Sequence, residues 1–372
     1  MRYFMQYLKT ENVNLVKDMG MIPYKLHELY GYESTVVTFK NGEYDYLNTE
    51  VKGLKMEFVK KIFHSYTLDG ALYLLKNSKR IDMLQIFHVT LSSFVYVFTY
   101  KKTNPNGKIY LKLDSSFKLP ERLDRLSKIG HKFLKSMLDK VNLITIEEER
   151  LYDPILKRIP YIKDKFKIIP NGVDFKAIGK MGLHYDYDAK ENIILHAARI
   201  GAEEKNTPML LEAFKNIKDI EKSDWKLVLA GPIEEEFKDY IDKYFAENPL
   251  MKNKVEMLGN IKSRKELYSL YCRAKIFALT SDFESFAIAL IEAAAFGDII
   301  ISTDVGIASE LVDENNGALV NCGDTEALTR TFENYMNKDL KEMSEKTHNK
   351  CRQKFDWDSI IKHLNEYMVD LK

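Results

Sequence analysis

The chain has 372 residues, 45% of them hydrophobic and 30% charged, which excludes a disordered or fibrous protein and a single small module, since domains run to about 100–200 residues. Its 56 Lys and Arg balance 55 Asp and Glu to a net +1, and its longest charge-free stretch, residues 83–100, carries Gln85, His88 and Thr90, so a transmembrane helix of about 20 mostly apolar residues is not expected. The N-terminus lacks the apolar core of a secretory signal, and Cys272, Cys322 and Cys351 stand far apart without metal-ligand spacing, which argues against a disulfide framework or zinc finger and for a reducing, cytoplasmic setting.

In chain order, strand candidates fall at 34–39, 84–88, 108–113 and 141–146. Between the last two, residues 118–140 place Leu123, Leu126, Ile129, Phe133 and Met137 at helical spacing, with Arg122, Arg125, Lys128, Lys132 and Lys135 supplying cations. A basic amphipathic helix of this kind either lies on an anionic membrane or turns its apolar face to the core. A second basic and apolar stretch covers 52–63, with Lys55, Phe58, Lys60, Lys61 and Ile62. Residues 168–172 read as a strand ending in a turn, and mark a domain boundary. Beyond it the pattern is more regular. Apolar strands at 192–198, 225–230, 255–258, 276–279 and 299–302 alternate with helical stretches such as 207–217 and 234–246. A final helix at about 358–370 can return to the first domain. Short apolar strands alternating with helices imply doubly wound parallel α/β sheets, whose ligands bind at the carboxyl ends of the strands.

The charge is unevenly placed. Residues 1–180 hold 31 Lys and Arg against 20 Asp and Glu, a net +11, and the rest hold 25 against 35, a net −10, which gives the overall +1. A basic half favours an anionic partner: a phosphorylated lipid, an anionic membrane surface or a nucleic acid. No nucleic-acid module or aromatic-basic platform accompanies it, so a nucleic-acid partner is not expected.

The most informative segment runs from Ser281 to Gly297. A helix is expected from Ser281 or Asp282 to about Phe296, with the amides of Ser285, Phe286 and Ala287 at its start, where free N–H groups suit a phosphate. Glu292 is the only charge between Glu284 and Asp298. A buried carboxylate needs hydrogen-bond donors. A vicinal diol such as a ribose would supply two, and a lysine or arginine on a neighbouring helix would serve as well. Arg199 and Lys205 bracket a loop after the strand at 192–198, where two cations can neutralise a diphosphate, or each can simply pair with an acidic residue in a solvated loop, the ordinary reading for an Arg or Lys taken singly.

These pieces occur together in one known pattern. The chain resembles the family 4 glycosyltransferases, retaining enzymes of the GT-B fold. Ile169-Pro170-Asn171-Gly172-Val173-Asp174 is similar to the family's I-P-N-G-V-D. Arg199 with Glu204-Lys205 matches its G-R-x-x-x-E-K-G loop, with Ala198 and Asn206 in place of the glycines. Glu284 and Glu292 match its E-x7-E signature. Asp304-Val305-Gly306 with Glu310 resembles its V-G-G-x-P-E loop, with Ile307 and Ser309 as departures, and Phe355-Asp356-Trp357 its F-x-W. The likeness is good over about 168–360 and loose before it.

The resemblance implies two Rossmann-like domains facing a central cleft. The first spans 1–172 together with the returning helix at 356–372 and takes the acceptor. The second spans 173–355 and takes a nucleotide-sugar, a UDP-sugar being favoured. Arg199 and Lys205 would hold the diphosphate, Glu292 the ribose, Glu284 the donor sugar, and the amides near Ser285, Phe286 and Ala287 the phosphates. The base would lie by Asn260 and Ile261. No metal or other cofactor is expected, because the two cations and the helix end take that part.

The first half departs from the family pattern. Where the family carries a histidine at a strand end, this chain has Asp114, and His88 is the second candidate. The glycine loop keeps one glycine, Gly20, whose bare backbone suits close approach of a sugar or phosphate. The expectation is a metal-independent hexosyltransferase for cell-surface polysaccharide or glycoconjugate synthesis. Its acceptor would be a saccharide, free or lipid-linked, and its place the cytoplasm or the inner membrane face. The alternative is a non-catalytic subunit that stabilises a partner transferase.

Overall fold

A computed structural model of the chain describes residues 1–113 and 118–371. They divide into two compact units, Met1–Gly172 with Trp357–Lys372, and Val173–Asp356.

The first unit is built on seven strands: β1 (Arg2–Gln6), β2 (Glu33–Thr38), β3 (Lys55–Phe58), β4 (Met83–Phe87), β5 (Lys108–Lys112), β6 (Leu143–Ile146) and β7 (Phe166–Ile168). All pair in parallel, in the order β3-β2-β1-β4-β5-β6-β7. Every residue of β4 and β6 is buried, as expected of strands covered on both faces. Side chains alternate between the faces. Phe4, Val37, Leu84, Ile86 and Leu111 pack with Leu74 and Val97 on one side. Tyr3, Met5, Val36, Met83 and Tyr110 pack on the other with Ile22 and Leu26. The C-terminal helix Trp357–Val369 lies in this second layer, through Trp357, Ile361 and Leu364. Tyr32 Oη donates to Asn365 Oδ1 at 2.6 Å and fixes its position.

The second unit holds six parallel strands: β8 (Glu191–Ala197), β9 (Lys226–Ala230), β10 (Val255–Gly259), β11 (Ala274–Leu279), β12 (Ile299–Thr303) and β13 (Gly317–Val320). Their order is β10-β9-β8-β11-β12-β13. In both sheets the chain winds outward in two directions from the centre. The reversal falls between β1 and β4 in the first sheet and between β8 and β11 in the second. Asp356 stays with the second unit through a bridge to Val173.

Three expectations need correction. The helix expected over 281–296 begins only at Ile288 and runs Ile288–Ala295. Ala287 before it has a left-handed backbone, φ 67°, and neither Ser281 nor Asp282 caps it. The stretch 118–140 is two helices, Lys118–Asp124 and Lys128–Leu138, the second capped by Ser127 Oγ accepting from Gly130 N–H at 3.1 Å. The edge strands β3 and β13 and the central strand β1 add to the expected set. Among the described residues no helix is long and apolar enough to cross a membrane.

Candidate functional site

In the second unit the predicted residues fall at the carboxyl ends of β8 and β11, on either side of the strand-order reversal, where ligands bind in open α/β sheets. β8 leads into Arg199, then into a 3-10 turn, Glu203–Lys205. The next residue, Asn206, is left-handed at φ 45°. It stands where the family pattern has glycine, and Asn is among the few other residues that tolerate this geometry. Its Oδ1 accepts from Met209 N–H and caps the helix Thr207–Lys215. Backbone and side-chain bonds tie the turn to the β11 loop. Asp282 N–H donates to the Glu204 carbonyl at 2.9 Å, and Thr280 Oγ1 to that of Lys205 at 3.0 Å.

This brings Lys205 and Glu284 together, Nζ 2.5 Å from Oε1, both largely buried. Ser281 Oγ donates to the same oxygen at 2.8 Å. Arg199 is more open. Its guanidinium pairs with Glu204 and, at 3.2 Å, with Glu234. Beneath Lys205 lies His196, fully buried, its Nδ1 2.9 Å from the Ala278 carbonyl. Burial pushes its pKa down to about 4, and Lys205 adds to the effect, so the imidazole is neutral at pH 7.

The segment 285–287 is a loop leading into the helix Ile288–Ala295, rather than its first turn. The Phe286 carbonyl accepts from Ile307 N–H at 2.9 Å. Gly306, at φ 53°, makes this contact possible, since a Cβ there would lie 2.5 Å from that carbonyl oxygen. Glu292 sits one turn into the helix, and its Oε1 is 3.1 Å from both the Arg264 guanidinium and Tyr268 Oη. Arg264 also stacks on the Tyr268 ring, 4.7 Å from its centroid. A cation on the neighbouring helix Arg264–Arg273 therefore attends Glu292. The i, i+4 spacing of Arg264 and Tyr268, which puts them on one helix face, was the signal that could have named them. Asn260 and Ile261 follow β10 in a loop, Asn260 exposed and Ile261 packed on the core.

In the first unit, Asp114 lies outside the described residues. Just before it, Lys112 is buried with Nζ 2.9 Å from Glu147, 3.7 Å from Asp18 and 3.3 Å from the Ile169 carbonyl. Burial works against its ammonium form, but the two carboxylates outweigh it and raise the pKa. Burial also pushes Asp18 up to about 6 against the pull of Lys112. Asn171 donates to Glu147 at 2.9 Å. Gly20 is a buried residue of the helix Asp18–Tyr30, and a Cβ there would lie 2.1 Å from the Leu15 carbonyl oxygen. Its missing side chain makes room for that packing. His88 ends β4 with a left-handed backbone, φ 58°, and lines a cavity of about 220 Å³ together with Gln6, Tyr7 and Tyr66. The structure thus gathers Arg199, Lys205, Glu284 and the 285–287 loop at one sheet end.

Two doubly wound parallel sheets in one chain, with paired cations and carboxylates at the reversal of the second, make the GT-B fold of glycosyltransferases. Residues 185–354, which lie within the second unit, match the family described as glycosyl transferases group 1. A chain named "Probable sucrose-phosphate synthase" from Thermosipho melanesiensis is 30% identical over 229 residues, 59% of this chain and 51% of that one. The chain spans little more than half the length of the curated relatives it matches. A glycosyltransferase structure from Rickettsia africae ESF-5 aligns with a TM-score of 0.74 at 19% identity, over 100% of this chain and 99% of that one. Alr3699/HepE of Anabaena, solved with UDP and glucose, aligns with a TM-score of 0.72 at 16% identity over 100% of both.

Proposed function

We propose that the chain is a retaining, metal-independent glycosyltransferase of family 4. It moves a hexose from a UDP-sugar to an acceptor in cell-surface polysaccharide or glycoconjugate synthesis. The observation that carries this reading is the Lys205–Glu284 pair with Arg199 beside it, cations at the strand-order reversal of a group 1 domain. A diphosphate arriving there takes the place of the carboxylates on Arg199 and Lys205. Preorganised cations stabilise the charge that grows on a departing phosphate. Glu284 then faces the donor sugar's hydroxyls, and Glu292, oriented by Arg264 and Tyr268, accepts from the ribose. UDP is favoured because the Anabaena protein was solved with it.

In the step itself the acceptor oxygen bonds to the anomeric carbon as that carbon's bond to the β-phosphate oxygen breaks. The acceptor's proton passes to the departing phosphate on the same face. The products are a glycoside of unchanged anomeric configuration and UDP. Arg199 and Lys205 carry the charge that a metal would otherwise carry. Support for a lipid-linked acceptor comes from Ile129 and Phe133, 69% and 58% exposed beside Lys128 and Lys132. Apolar residues flanked by cations suit an anionic interface.

The test is UDP release and sugar transfer from UDP-glucose and UDP-galactose, with and without EDTA, on wild type and Lys205→Ala. Turnover in EDTA, lost in the variant, supports the reading. UDP-sugar binding without turnover on any acceptor offered points instead to a subunit that stabilises a partner transferase. Vesicle co-sedimentation at low salt with anionic lipids tests the membrane part, and its absence sinks that part alone.

A further inference from the structure

Three charged side chains of the first unit lie out of water and take no part in the donor chemistry. Lys112, Glu147 and Asp18 have side chains 1%, 8% and 14% exposed. They meet at the carboxyl end of the first sheet. Lys112 is the last residue of β5, Glu147 follows β6 directly, and Asp18 opens the helix Asp18–Tyr30.

The cluster ties separate chain segments to one ammonium. Lys112 Nζ lies 2.9 Å from Glu147 Oε1 and 3.7 Å from Asp18 Oδ2, and it donates to the Ile169 carbonyl at 3.3 Å. Glu147 Oε1 also accepts from Asn171 Nδ2 at 2.9 Å, so the pair grips the segment after β7 at two points. Asp18 Oδ1 accepts from Met19 N–H at 2.9 Å. The carboxylate that meets Lys112 therefore also fixes the first turn of its own helix. Two residues back on the same strands, the hydroxyls of Tyr110 and Thr145 pair at 2.8 Å, both buried.

Stability alone does not call for this arrangement. One ammonium faces two carboxylates, so the cluster carries a negative charge in excess where charge is costly. Neutral side chains of similar volume often serve a fold as well as a buried ion pair. What the charges add is a fixed direction for each partner, which matters most next to a reaction site. The carboxyl ends of the strands are where open α/β sheets do their chemistry. From Lys112 the chain runs on to Asp114, two positions later.

We infer that Lys112 is a positioning residue for the first unit's share of the sugar transfer. Its ammonium, between Glu147 and Asp18, sets three turns: the helix start at Asp18, the exit of β5 toward Asp114, and the segment 169–171. Lys112 itself is too buried to meet a substrate and acts through these turns. The inference rests on the glycosyltransferase reading for its effect on rate, and on the cluster alone for its effect on the turns.

The test removes the charges and keeps the shapes, with Lys112→Met, Glu147→Gln and Asp18→Asn in one full-length chain. Its melting temperature is expected within a few degrees of wild type. Its kcat with a UDP-sugar is expected to fall about tenfold or more, the scale of a misplaced group. Donor KM and UDP affinity stay unchanged, because Arg199 and Lys205 belong to the other unit. Wild-type kcat in the neutral chain overturns the inference. If that chain does not fold, Asp18→Asn alone leaves Lys112 and Glu147 as a balanced pair. It is expected to melt no lower than wild type and to lose kcat in the same way, and wild-type kcat in it again overturns the inference. Hydrogen exchange reads the turns without turnover. Leu113 N–H donates to the Thr145 carbonyl at 2.9 Å and Ile169 N–H to the Ile146 carbonyl at 2.8 Å. Both should exchange about tenfold faster in the variant while the amides of β2 keep their rates. Unchanged exchange at Leu113 and Ile169 overturns the positioning role and leaves the transferase reading standing. Faster exchange in a protein whose wild type transfers no sugar keeps the hold on the turns and removes the transferase reading.

Discussion

Lys205 and Glu284, seventy-nine positions apart in sequence, meet at 2.5 Å across the reversal of the second sheet. With Ser281 also on Glu284, the lysine has a fixed direction before any ligand arrives. Removing one preorganised charge donor from such a site lowers turnover by about 10²–10³. Lys205→Ala is therefore expected to lower kcat by that much where the variant is still folded, with a stability loss of about 2–3 kcal/mol from the counter-charge that largely buried Glu284 loses. Steady-state rates and melts on the same preparation check it. Unchanged turnover in the folded variant would take Lys205 out of the reaction.

Glu292 and Arg264 are also coupled, and both are largely buried. Removing one member of a buried ion pair takes the counter-charge from the other, and Glu292→Ala is expected to cost about 2–3 kcal/mol. Arg264→Ala and the double variant complete a cycle in urea, with a coupling of about 1–2 kcal/mol. An additive cycle would mean that the pair is not formed in solution. Nucleotide affinity in Arg264→Ala, where the carboxylate remains but loses its guide, reports the binding role separately.

Asn206 carries two duties, the left-handed turn and the helix cap. Asn206→Ala should destabilise by about 2 kcal/mol, from left-handed strain and the lost cap together. Asn206→Gly should lose only a few tenths of a kcal/mol, because glycine accepts the backbone and is itself a fair cap. Equal losses in the two would argue against the left-handed conformation.

Two buried groups give stability an opposed dependence on pH. His196 falls from 6.5 to about 4 on folding, chiefly through burial. Between those values the unfolded chain holds the proton more tightly, so stability falls as pH falls through that window. Asp298 rises from 3.8 to about 7, again through burial, although Lys190 Nζ lies 2.6 Å away and pulls the other way. Here the folded chain holds the proton more tightly, and stability falls as pH rises toward 7. Melts from about pH 4 to 8 should lose the acid-side slope in His196→Gln and the neutral-side slope in Asp298→Asn. Unchanged slopes would sink both assignments.

Much of the second unit could be read directly from the sequence, because strands buried on both faces leave continuous apolar runs bounded by turns. The helix start at Ile288 could not. The run 286–296 is apolar but for Glu292, and what delays the helix's start is a contact between Phe286 and Ile307, twenty-one residues away. The break near Ser127 was readable, since a serine three residues before Gly130 is an ordinary cap. In the first unit, the cavity draws on residues 6–9, 66, 86–88, 90, 92, 93 and 96. No local spacing joins those segments, so only the strand order brings them together. β1, whose carboxyl end is one wall, is five residues at the start of the chain, too short for its pattern to stand out.

On the proposed donor role, the carboxylates around Arg199 and Lys205 have a kinetic consequence. The two cations face Glu204, Glu234 and Glu284, so these five groups together carry one negative charge in excess rather than forming a positive funnel. A diphosphate would then not be drawn from a distance by them, because its attraction would appear only once it displaced the carboxylates at contact. Capture rates there should vary little with ionic strength, in contrast to the steep dependence of steered association. Anions able to engage only one cation gain little, since they cannot displace both sets of carboxylates. The cluster thereby favours ligands that reach two cations at once.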